Sequence, residues 1–571
     1  MIKIPSINWI KGYKKSDLKG DLTAGITVGI MLIPQGMAYA LIAGLPPIYG
    51  LYASIIPILI YAFLGTSRQL AVGPVAMVSL LTATGIGTMA EGGTDQYILL
   101  AITLALLVGA IQFLLGIFRL GFLVRFLAHP VISGFTSAAA LIIGLSQLKH
   151  LLGVDLPRSN HIHEILINAF DSISLTHLPT LWIGLGGIGL IMLIKRIKKS
   201  FPAALLVVIL GVGIVYFLGL HNSGVKIVGE VPEGLPGFQL PILDYITWSS
   251  LIYIALAIAL VSFMESIAVA KAIQSKHKDY ELDPNQELVA LGLANVGGAF
   301  FQSYPTTGGF SRTAVNNDAG AKTGFASIIS VLLIVVTLLF FTPLFYYLPK
   351  AVLASIIMVA VFALIDFKEA IHLWHVDKTD FALLISTFLA TSLLGIEVGI
   401  GIGVALSLGL MIFRSSKPHI AELGRVKGTN TFRNINRFKD LETFDNTLII
   451  RPDAALYFVN IDHITEFIED KIKDKKAVLK YLLVNAESIS HIDSTAIENI
   501  RELKSDLENQ GITLLFSGII GPVRDIFEKS NMVENIGSNH FFISVKSALD
   551  YTQGNGHSED DIHTITLQSY H

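Results

Sequence analysis

Residues 251–270 read LIYIALAIALVSFMESIAVA, a run of apolar and small side chains with a single charge at Glu265. A helix rises about 1.5 Å per residue, so a run of this length can cross roughly 30 Å of hydrocarbon. Five further long apolar runs are Leu99–Phe118, Leu181–Ile194, Ala203–Leu220, Ser327–Phe345 and Phe381–Leu394. The pattern predicts a polytopic α-helical membrane protein.

Charged residues are distributed unevenly along the chain. They make up 15% of the whole sequence, whereas a soluble globular protein contains about 25%. The fraction is about 10% between residues 21 and 415 and about 26% from residue 416 onward. This change predicts five regions: a cytoplasmic leader over 1–20, a transmembrane domain over 21–415, a linker over 416–445, a soluble domain over 446–553 and a disordered tail over 554–571.

The overall composition argues against several classes of function. A formal net charge of −3 offers no basic surface to nucleic acid. The absence of cysteine excludes disulfides, thiolate catalysis and zinc bound by cysteine. His161 and His163 lie in a predicted outer loop without a carboxylate at ligand spacing, so we expect no metal site. No nucleophile and base form a recognisable motif, so we expect neither an enzyme nor a cofactor.

The positions of lysine and arginine orient the predicted spans. With the N-terminus placed in the cytoplasm, 22 of these cations fall in inner segments and 4 in outer segments. Cytoplasmic loops of membrane proteins are enriched in positive residues. We therefore expect both termini and the soluble domain to lie in the cytoplasm.

Glycine and proline interrupt three other apolar segments. Pro34-Gln35-Gly36 lies within residues 21–43, Gly73-Pro74 opens a second segment and Gly308-Gly309 opens a third. In lipid, a broken helix is tolerated only where it lines a protein cavity, so these breaks predict a binding site. Counting the interrupted segments gives about fourteen spans. They divide into two seven-span halves of opposite topology, residues 21–220 and 248–415, which predicts an inverted repeat.

Glu265 and Arg312 differ from the other charged residues because they lie inside predicted spans. An ionisable group at this depth is costly and normally faces a cavity or a charged partner. The pair therefore either forms a structural ion pair that locks two helices or lies on an ion pathway. In the stretch 305–313, PTTGGFSRT, glycines precede Ser311 and Arg312 at the start of a helix. Free N–H groups and a guanidinium at a helix N-terminus suit an oxyanion, which favours the ion pathway.

Several segments in this order resemble the sulfate permease (SulP) family of anion transporters. They are DLTAG (21–25), PQGMAYA (34–40), PIYGLY (47–52), GTSR (65–68) followed by Gly73-Pro74, and GFSRTAVN (309–316). The resemblance implies two inverted seven-helix repeats divided into core and gate domains, usually assembled as a homodimer. It also implies an anion site between the starts of the third and tenth segments. Carried over by position, that site comprises Gln35, Tyr39, Val75, Ala76, Glu265, Phe310, Ser311 and Arg312.

The resemblance also bears on substrate and coupling. Sodium-coupled bicarbonate members carry an aspartate and a hydroxyl residue where this chain has Glu265 and Val269, which weakens a sodium site. The Phe-Ser-Arg stretch is similar to that of proton-coupled sulfate carriers, with Glu265 as the proton-coupling group. We therefore expect proton-coupled sulfate symport by alternating access, in a bacterial inner membrane. The alternatives are a bicarbonate or chloride exchanger or symporter and, less favoured, a dicarboxylate or nucleobase carrier.

The soluble region alternates short β-rich runs with amphipathic helical stretches. These runs are Thr447–Arg451, Ala455–Phe458, Ile461–Ile472, Tyr481–Asn485, Ser494–Asn509, Thr513–Ser517 and Val523–Lys529. The alternation predicts a small α/β domain, and it resembles the STAS domain that ends SulP transporters. Ser494 occupies the position of a phosphorylatable serine in related antagonist proteins and is a regulatory candidate. Alternatively, Asp493 or Ser494 simply caps the following helix. A cytoplasmic partner of this domain is possible under either interpretation.

Overall fold

A computed structural model describes residues 5–122, 128–157, 159, 161–197, 201–277, 280–475 and 479–554. The chain divides into two compact units, Met1–Ser407 and Leu408–His571. The predicted disordered tail lies, from residue 555 onward, outside the described residues.

Helices form most of the chain up to Ser416. They are α1 (Ser6–Lys11), α2 (Lys15–Ile42), α3 (Ile48–Tyr52), α4 (Ile56–Leu64), α5 (Ala76–Ile86), α6 (Asp95–Ile117), α7 (His129–Ser146), α8 (Leu148–Leu152), α9 (Ile162–Asp171), α10 (Leu178–Ile197), α11 (Ala203–Phe217), α12 (Tyr245–Gln274), α13 (Pro284–Ala299), α14 (Phe310–Asp318), α15 (Phe325–Phe340), α16 (Lys350–Phe362), α17 (Phe367–Val376), α18 (Lys378–Leu394) and α19 (Ile396–Ser416).

Many of these helices are apolar enough for a membrane. Within the described residues, seven are long enough to cross it: Lys15–Ile42, Asp95–Ile117, His129–Leu152, Leu178–Ile197, Tyr245–Gln274, Lys350–Val376 and Val398–Ser416. Shorter apolar helices occur at Ile48–Leu64, Ala76–Ile86, Ala203–Phe217 and Phe325–Phe340. The polytopic helical class is confirmed, whereas the count of fourteen spans in an inverted repeat stays a prediction.

Two of the three predicted helix interruptions are present. Helix α5 follows a short strand β1 (Val72–Gly73), and helix α14 follows a short strand β2 (Thr307–Gly308). The third prediction is wrong, because α2 continues through Pro34. A single proline removes one backbone hydrogen bond, which packing around a buried helix can offset. Gly36 and Gly50 instead allow α2 and α3 to pack closely. A Cβ on Gly50 would lie 1.9 Å from the carbonyl oxygen of Gly36, and one on Gly36 would lie 3.0 Å from the carbonyl oxygen of Gly50.

The second unit contains an α/β sheet. Its strands are β3 (Ile420–Val426), β4 (Phe432–Asn434), β5 (Leu441–Glu442), β6 (Thr447–Pro452), β7 (Tyr481–Asn485), β8 (Thr513–Ser517) and β9 (Phe541–Phe542). Its helices are α20 (Ile461–Asp474), α21 (Ser494–Asn509), α22 (Gly521–Lys529), α23 (Met532–Ile536) and α24 (Val545–Thr552). The strand order is β4-β3-β6-β7-β8-β9, with β6 to β9 parallel and β3 antiparallel to β6.

Both faces of this sheet are covered. Leu448 and Ile450 of β6 join one buried apolar cluster with α20, α21 and α22, while Ile449 joins a second cluster with α24. Successive side chains of a strand point to opposite faces, so both sets are buried. Because both faces of the sheet are buried, each central strand is a continuous apolar run in the sequence.

Two predictions about the soluble region need correction. Residues 416–445 are not a linker, because they contain β3, β4 and β5, and β3 pairs with β6 along Ile420–Glu422. Their short strands are separated by polar turns, which conceals them in the sequence. The run Ala455–Phe458 is not a strand either, and only Leu456 forms an isolated bridge, to Ile492.

Candidate anion-binding site

The site is organised by the pairing of the two short strands β1 and β2. Strands β1 and β2 are antiparallel, with Val72 opposite Gly308 and Gly73 opposite Thr307. The Gly309 N–H donates to the carbonyl of Ala71 over 3.0 Å, which extends the pairing by one residue. Helices α5 and α14 begin directly after these strands. Each helix N-terminus presents free N–H groups and about half a positive charge, so two such ends emerge from one small sheet.

Arg312 lies in the first turn of α14 and is only 2% exposed. Its Nη1 donates to the carbonyl of Pro74 over 2.7 Å, which ties α14 to the segment that leads into α5. Its Nε and Nη2 are buried and have no hydrogen-bond partner in the part of the chain that the structure describes. Buried donors of a guanidinium are rarely left unpaired, since each costs roughly 1–3 kcal/mol. The arrangement therefore offers two unused donors to a ligand.

Glycines make room for this guanidinium. A Cβ on Gly309 would lie 3.0 Å from Nη2 of Arg312, and one on Gly73 would lie 3.5 Å from the same atom. Gly73 also has a φ of +143°, which L side chains rarely adopt. The two glycines that mark the predicted breaks thus serve both the backbone turn and the placement of Arg312.

Glu265 faces the same region from α12 but does not pair with Arg312. Its Oε2 is buried without a hydrogen-bond partner. Among the described residues there is no N–O contact within 4.0 Å between the two side chains. The interpretation of these residues as a structural ion pair is therefore wrong. Two opposite charges are held near each other, and each keeps unused hydrogen-bonding capacity.

The predicted site residues line one cavity of about 40 Å³. It brings together Gln35, Tyr39, Val75, Ala76, Glu265, Phe310, Ser311 and Arg312. Such a volume holds roughly three water molecules, which suits a small ion. Ala360 and Val361 of α16 and Leu364, which follows this helix, also line the cavity, and the sequence did not predict them. No local signal distinguishes these three from any other apolar helix residues.

A larger cavity of about 490 Å³ lies nearer the predicted outer side. Its wall includes Ile42 at the end of α2 and Thr84 of α5. Lys149 and His150 of α8 also line it. The position suits a vestibule, since it is bounded by the same α2 and α5 that line the smaller cavity.

Among the described residues of the first unit, two further charged residues are buried, contrary to the expectation that Glu265 and Arg312 are the exceptions. Glu287 of α13 is fully buried and accepts four hydrogen bonds, from Tyr61 Oη, Thr66 N, Thr66 Oγ1 and Ser67 N. Asp21 of α2 is fully buried and accepts from Lys322 N, Thr323 N and Thr323 Oγ1. Both lie in the first two turns of their helices, and the partners that bury them come from distant parts of the chain.

The remaining candidates lie elsewhere. Ser494 is exposed at the first position of α21, far along the chain in the second unit. Asp493 is the N-cap, and its Oδ1 accepts the Ala496 N–H over 2.8 Å. Capping therefore accounts for Asp493, whereas phosphorylation of Ser494 stays a prediction. Val269 is buried and apolar, so it supplies no oxygen ligand beside Glu265.

Comparison with known families now decides the classification. Residues 18–387 match the sulfate permease family, and residues 438–548 match the STAS domain. The chain belongs to the sulfate permease family. This membership confirms a polytopic helical membrane protein that ends in a STAS domain, and it places the chain among transporters rather than enzymes.

Sequence relatives cover nearly the whole chain. Sulfate transporter 4.1, chloroplastic, from Arabidopsis thaliana is 41% identical over 95% of this chain and 82% of its own. High affinity sulfate transporter 2 from Stylosanthes hamata is 35% identical over 95% of this chain and 85% of its own.

Solved structures agree with the fold. The murine Solute Carrier 26 family member A9 anion transporter in the inward-facing state has a TM-score of 0.89 at 27% identity. The match covers 97% of this chain and 94% of that protein. The transmembrane domain of a cyanobacterial bicarbonate transporter has a TM-score of 0.60 at 23% identity over 69% of this chain and 98% of its own, which supports the fold alone.

Proposed function

We propose that this protein is a secondary active transporter of small inorganic oxyanions, with sulfate as the main substrate. The observation that carries the proposal is Arg312, a buried guanidinium with two unpartnered nitrogens in a cavity where two helix N-termini begin. The relatives named as sulfate transporters support the choice of substrate. A tetrahedral dianion offers several acceptor oxygens, which matches convergent donors from Arg312 and the two helix ends.

The proposed coupling is proton symport, and Glu265 carries the proton. When the cavity is empty, the ionised Glu265 carboxylate balances the charge of Arg312 through space. A dianion that binds to Arg312 places negative charge near the carboxylate, so binding favours uptake of a proton by Glu265. By linkage, the proton then favours the anion to the same extent. Proton and anion therefore cross together by alternating access.

Other parts of the proposal concern assembly and location. We propose a homodimer in a bacterial inner membrane, with both termini in the cytoplasm and the STAS domain available to a cytoplasmic partner. The cation distribution along the sequence supports this orientation. Cross-linking in native membranes and protease accessibility of the C-terminal region test these two points.

The function is tested with purified protein in proteoliposomes. Uptake of labelled sulfate is measured with and without an inward proton gradient, and bicarbonate and chloride are added as competitors. We expect sulfate accumulation that depends on the gradient. Robust bicarbonate flux without sulfate uptake would instead support an anion exchanger and would overturn the proposal.

The role of Glu265 is tested by the substitution Glu265→Gln, which keeps the shape of the side chain and removes its titration. We expect accumulation driven by the proton gradient to be abolished, while exchange of labelled for unlabelled sulfate continues. Exchange serves as the control for folding because it needs the anion site but no net proton movement. Unchanged accumulation in this variant would remove Glu265 from the mechanism.

A further inference from the structure

A chain of hydrogen bonds joins α12, which carries Glu265, to the strand that leads into α14. The Gly308 N–H donates to Ser266 Oγ over 2.8 Å. Ser266 Oγ lies 2.6 Å from Thr307 Oγ1. Thr307 Oγ1 in turn donates to the carbonyl of Ser262 over 2.6 Å.

The direction of each bond in this chain follows from counting protons. A carbonyl oxygen only accepts, so the single hydroxyl proton of Thr307 points to Ser262. Ser266 must then donate its own proton to Thr307 Oγ1, and it accepts from Gly308 N–H. Every hydroxyl donates once, and the chain contains no unused donor. Ser266 is fully buried, so water does not compete for these bonds.

Within the described residues, these three bonds are the hydrogen bonds between α12 and the stretch 305–313. Other links hold this stretch to different elements: Asn295 of α13 binds Thr306, and Arg312 binds Pro74. Because Glu265 and Arg312 make no direct contact, their separation depends on the backbone segments that carry them. Ser266 directly follows Glu265, and Gly308, the last residue of β2, precedes Arg312 by four residues.

We propose that Ser266 is a positioning residue for proton–anion coupling. Its hydroxyl fixes the turn of α12 that carries Glu265 against β2 and so sets the distance between the Glu265 carboxyl and the Arg312 guanidinium. The free energy of coupling between proton and anion depends on this distance, since both charges act through the same small cavity. The inference rests on the proposed proton symport and adds the residue that tunes it.

The pH dependence of sulfate affinity can be assigned to Glu265 only after the other titratable groups near it are considered. Arg312 and Tyr39 are the titratable side chains that line the cavity with it. Tyr304 lies near Arg312, and its hydroxyl is 3.1 Å from Ser79 Oγ. An unperturbed tyrosine titrates at about pH 10, so among the side chains that line the cavity Glu265 is the group whose charge can change in the acidic to neutral range.

The test compares two serines one turn apart on α12. Ser266→Ala removes the link to β2, whereas Ser262→Ala is the matched control. Ser262 is equally buried, and its carbonyl accepts from Thr307, but that backbone group is kept in the alanine variant. Its hydroxyl accepts from Gln112 and donates to Ala259, so the hydroxyl that is removed bonds neither to β2 nor to a residue of the cavity. The apparent KM for sulfate and kcat are measured in proteoliposomes at several pH values.

We expect the wild-type KM to fall as the pH falls, and Ser266→Ala to reduce this pH effect by about fivefold, the size of a modest coupling energy. Ser262→Ala keeps the wild-type effect. A second variant, Thr307→Val, removes the acceptor of Ser266 with little change in shape and decides the case if Ser266→Ala does not fold. It should also flatten the pH dependence of KM.

Two results would overturn the inference. The first is a wild-type pH dependence of KM in Ser266→Ala, or in Thr307→Val where that variant decides. The second is an equal loss in Ser262→Ala, which would show a general effect of loosening α12. A wild-type protein without any pH dependence of KM would refute the proposed symport itself, and the inference would fail with it.

Discussion

In the described part of the first unit, charged side chains with buried polar atoms include two groups that differ in how completely they are paired. Glu287 and Asp21 accept hydrogen bonds from backbone N–H groups and hydroxyls, and each binds a loop distant in sequence. Glu265 and Arg312 lie in a cavity, and each keeps buried atoms without a partner. The first group consists of structural clamps, which hold distant segments together. The second group has the unpaired polar atoms expected of a ligand-binding site.

The difference shows why burial alone does not identify a transport residue. A buried carboxylate whose oxygens are all hydrogen-bonded is stabilised by the fold itself. An ion could bind to it only by breaking those hydrogen bonds. An unpaired buried charge costs free energy in the empty protein and recovers it only when a ligand or proton binds. Substitutions at the two groups should therefore separate transport from stability.

The largest effect is expected for Arg312→Gln. The change removes the charge and the fork of donors, so kcat/KM for sulfate should fall by at least about 100-fold. Thermal unfolding in detergent should change little, because the Arg312 guanidinium makes a single hydrogen bond to the described residues, the one to Pro74. A variant that transports normally, or one that loses transport only because it unfolds, would contradict the assignment of Arg312 to the second group.

The second prediction concerns the clamps. Glu287→Ala leaves the donors of Thr66, Ser67 and Tyr61 without their acceptor in a buried place. We expect a loss of about 3 kcal/mol in stability, measured as a lower unfolding temperature in detergent. Transport per folded molecule should fall far less than in Arg312→Gln. If Glu287→Ala proves as stable as the wild type yet inactive, Glu287 belongs with the site.

A smaller effect is expected from crowding Arg312 rather than removing it. Gly309→Ala places a Cβ 3.0 Å from Nη2, so the guanidinium must shift within the cavity. The KM for sulfate should rise by about tenfold, as expected for loss of one charged hydrogen bond of roughly 1.5 kcal/mol. Gly186→Ala is the control, because a Cβ there meets no atom within 4 Å. An equal KM in both variants would mean that the position of Arg312 does not set affinity.

The smallest effect is expected for a charge that stays in contact with water, Asp453 of the second unit. Burial raises the pKa of Asp453, but hydrogen bonds from Arg451 and His419 outweigh it and hold this pKa below its ordinary value. The ionised form is therefore favoured by folding. This contribution is present above about pH 4 and is lost as the pH falls through the lower pKa of the folded state.

For Asp453→Asn we expect a loss of at most about 1 kcal/mol at neutral pH, since partly solvated ion pairs contribute little. The difference from the wild type should vanish in acid, where the wild-type carboxyl is protonated too. Hydrogen exchange of β3 and β6 amides in the full-length protein measures both. A difference that persists at low pH would show that the side chain acts through packing and not through its charge.

Much of the fold could be predicted from local sequence. The apolar runs such as Leu251–Ala270 fall within helices because hydrophobicity over about twenty residues is a local property. The strand Tyr481–Asn485 and the helix Ser494–Asn509 have the bounds that the pattern predicts. Strands β3 to β5 are not evident from the sequence because they depend on pairing with distant or neighbouring strands: β3 pairs with β6, and β4 and β5 pair with β3.

The candidate site divides in the same way. The stretch that contains Gly309 and Arg312 carries its own signal, since a charge after glycines in an apolar segment is rare and costly. The α16 residues Ala360 and Val361 carry none, because an apolar side chain looks the same whether it lines a cavity or faces lipid.

The sequence by itself determined that this protein spans a membrane, ends in a STAS domain and places a cation at the start of a broken helix. These features depend on residues that are neighbours in the chain. Only the tertiary structure decided which buried charges are paired, because the partners come from distant segments: Glu287 meets Thr66, while Glu265 and Arg312 face one cavity without touching. Whether a buried charge has all its hydrogen bonds therefore depends on contacts between distant segments, and this distinguishes a structural clamp from a binding site.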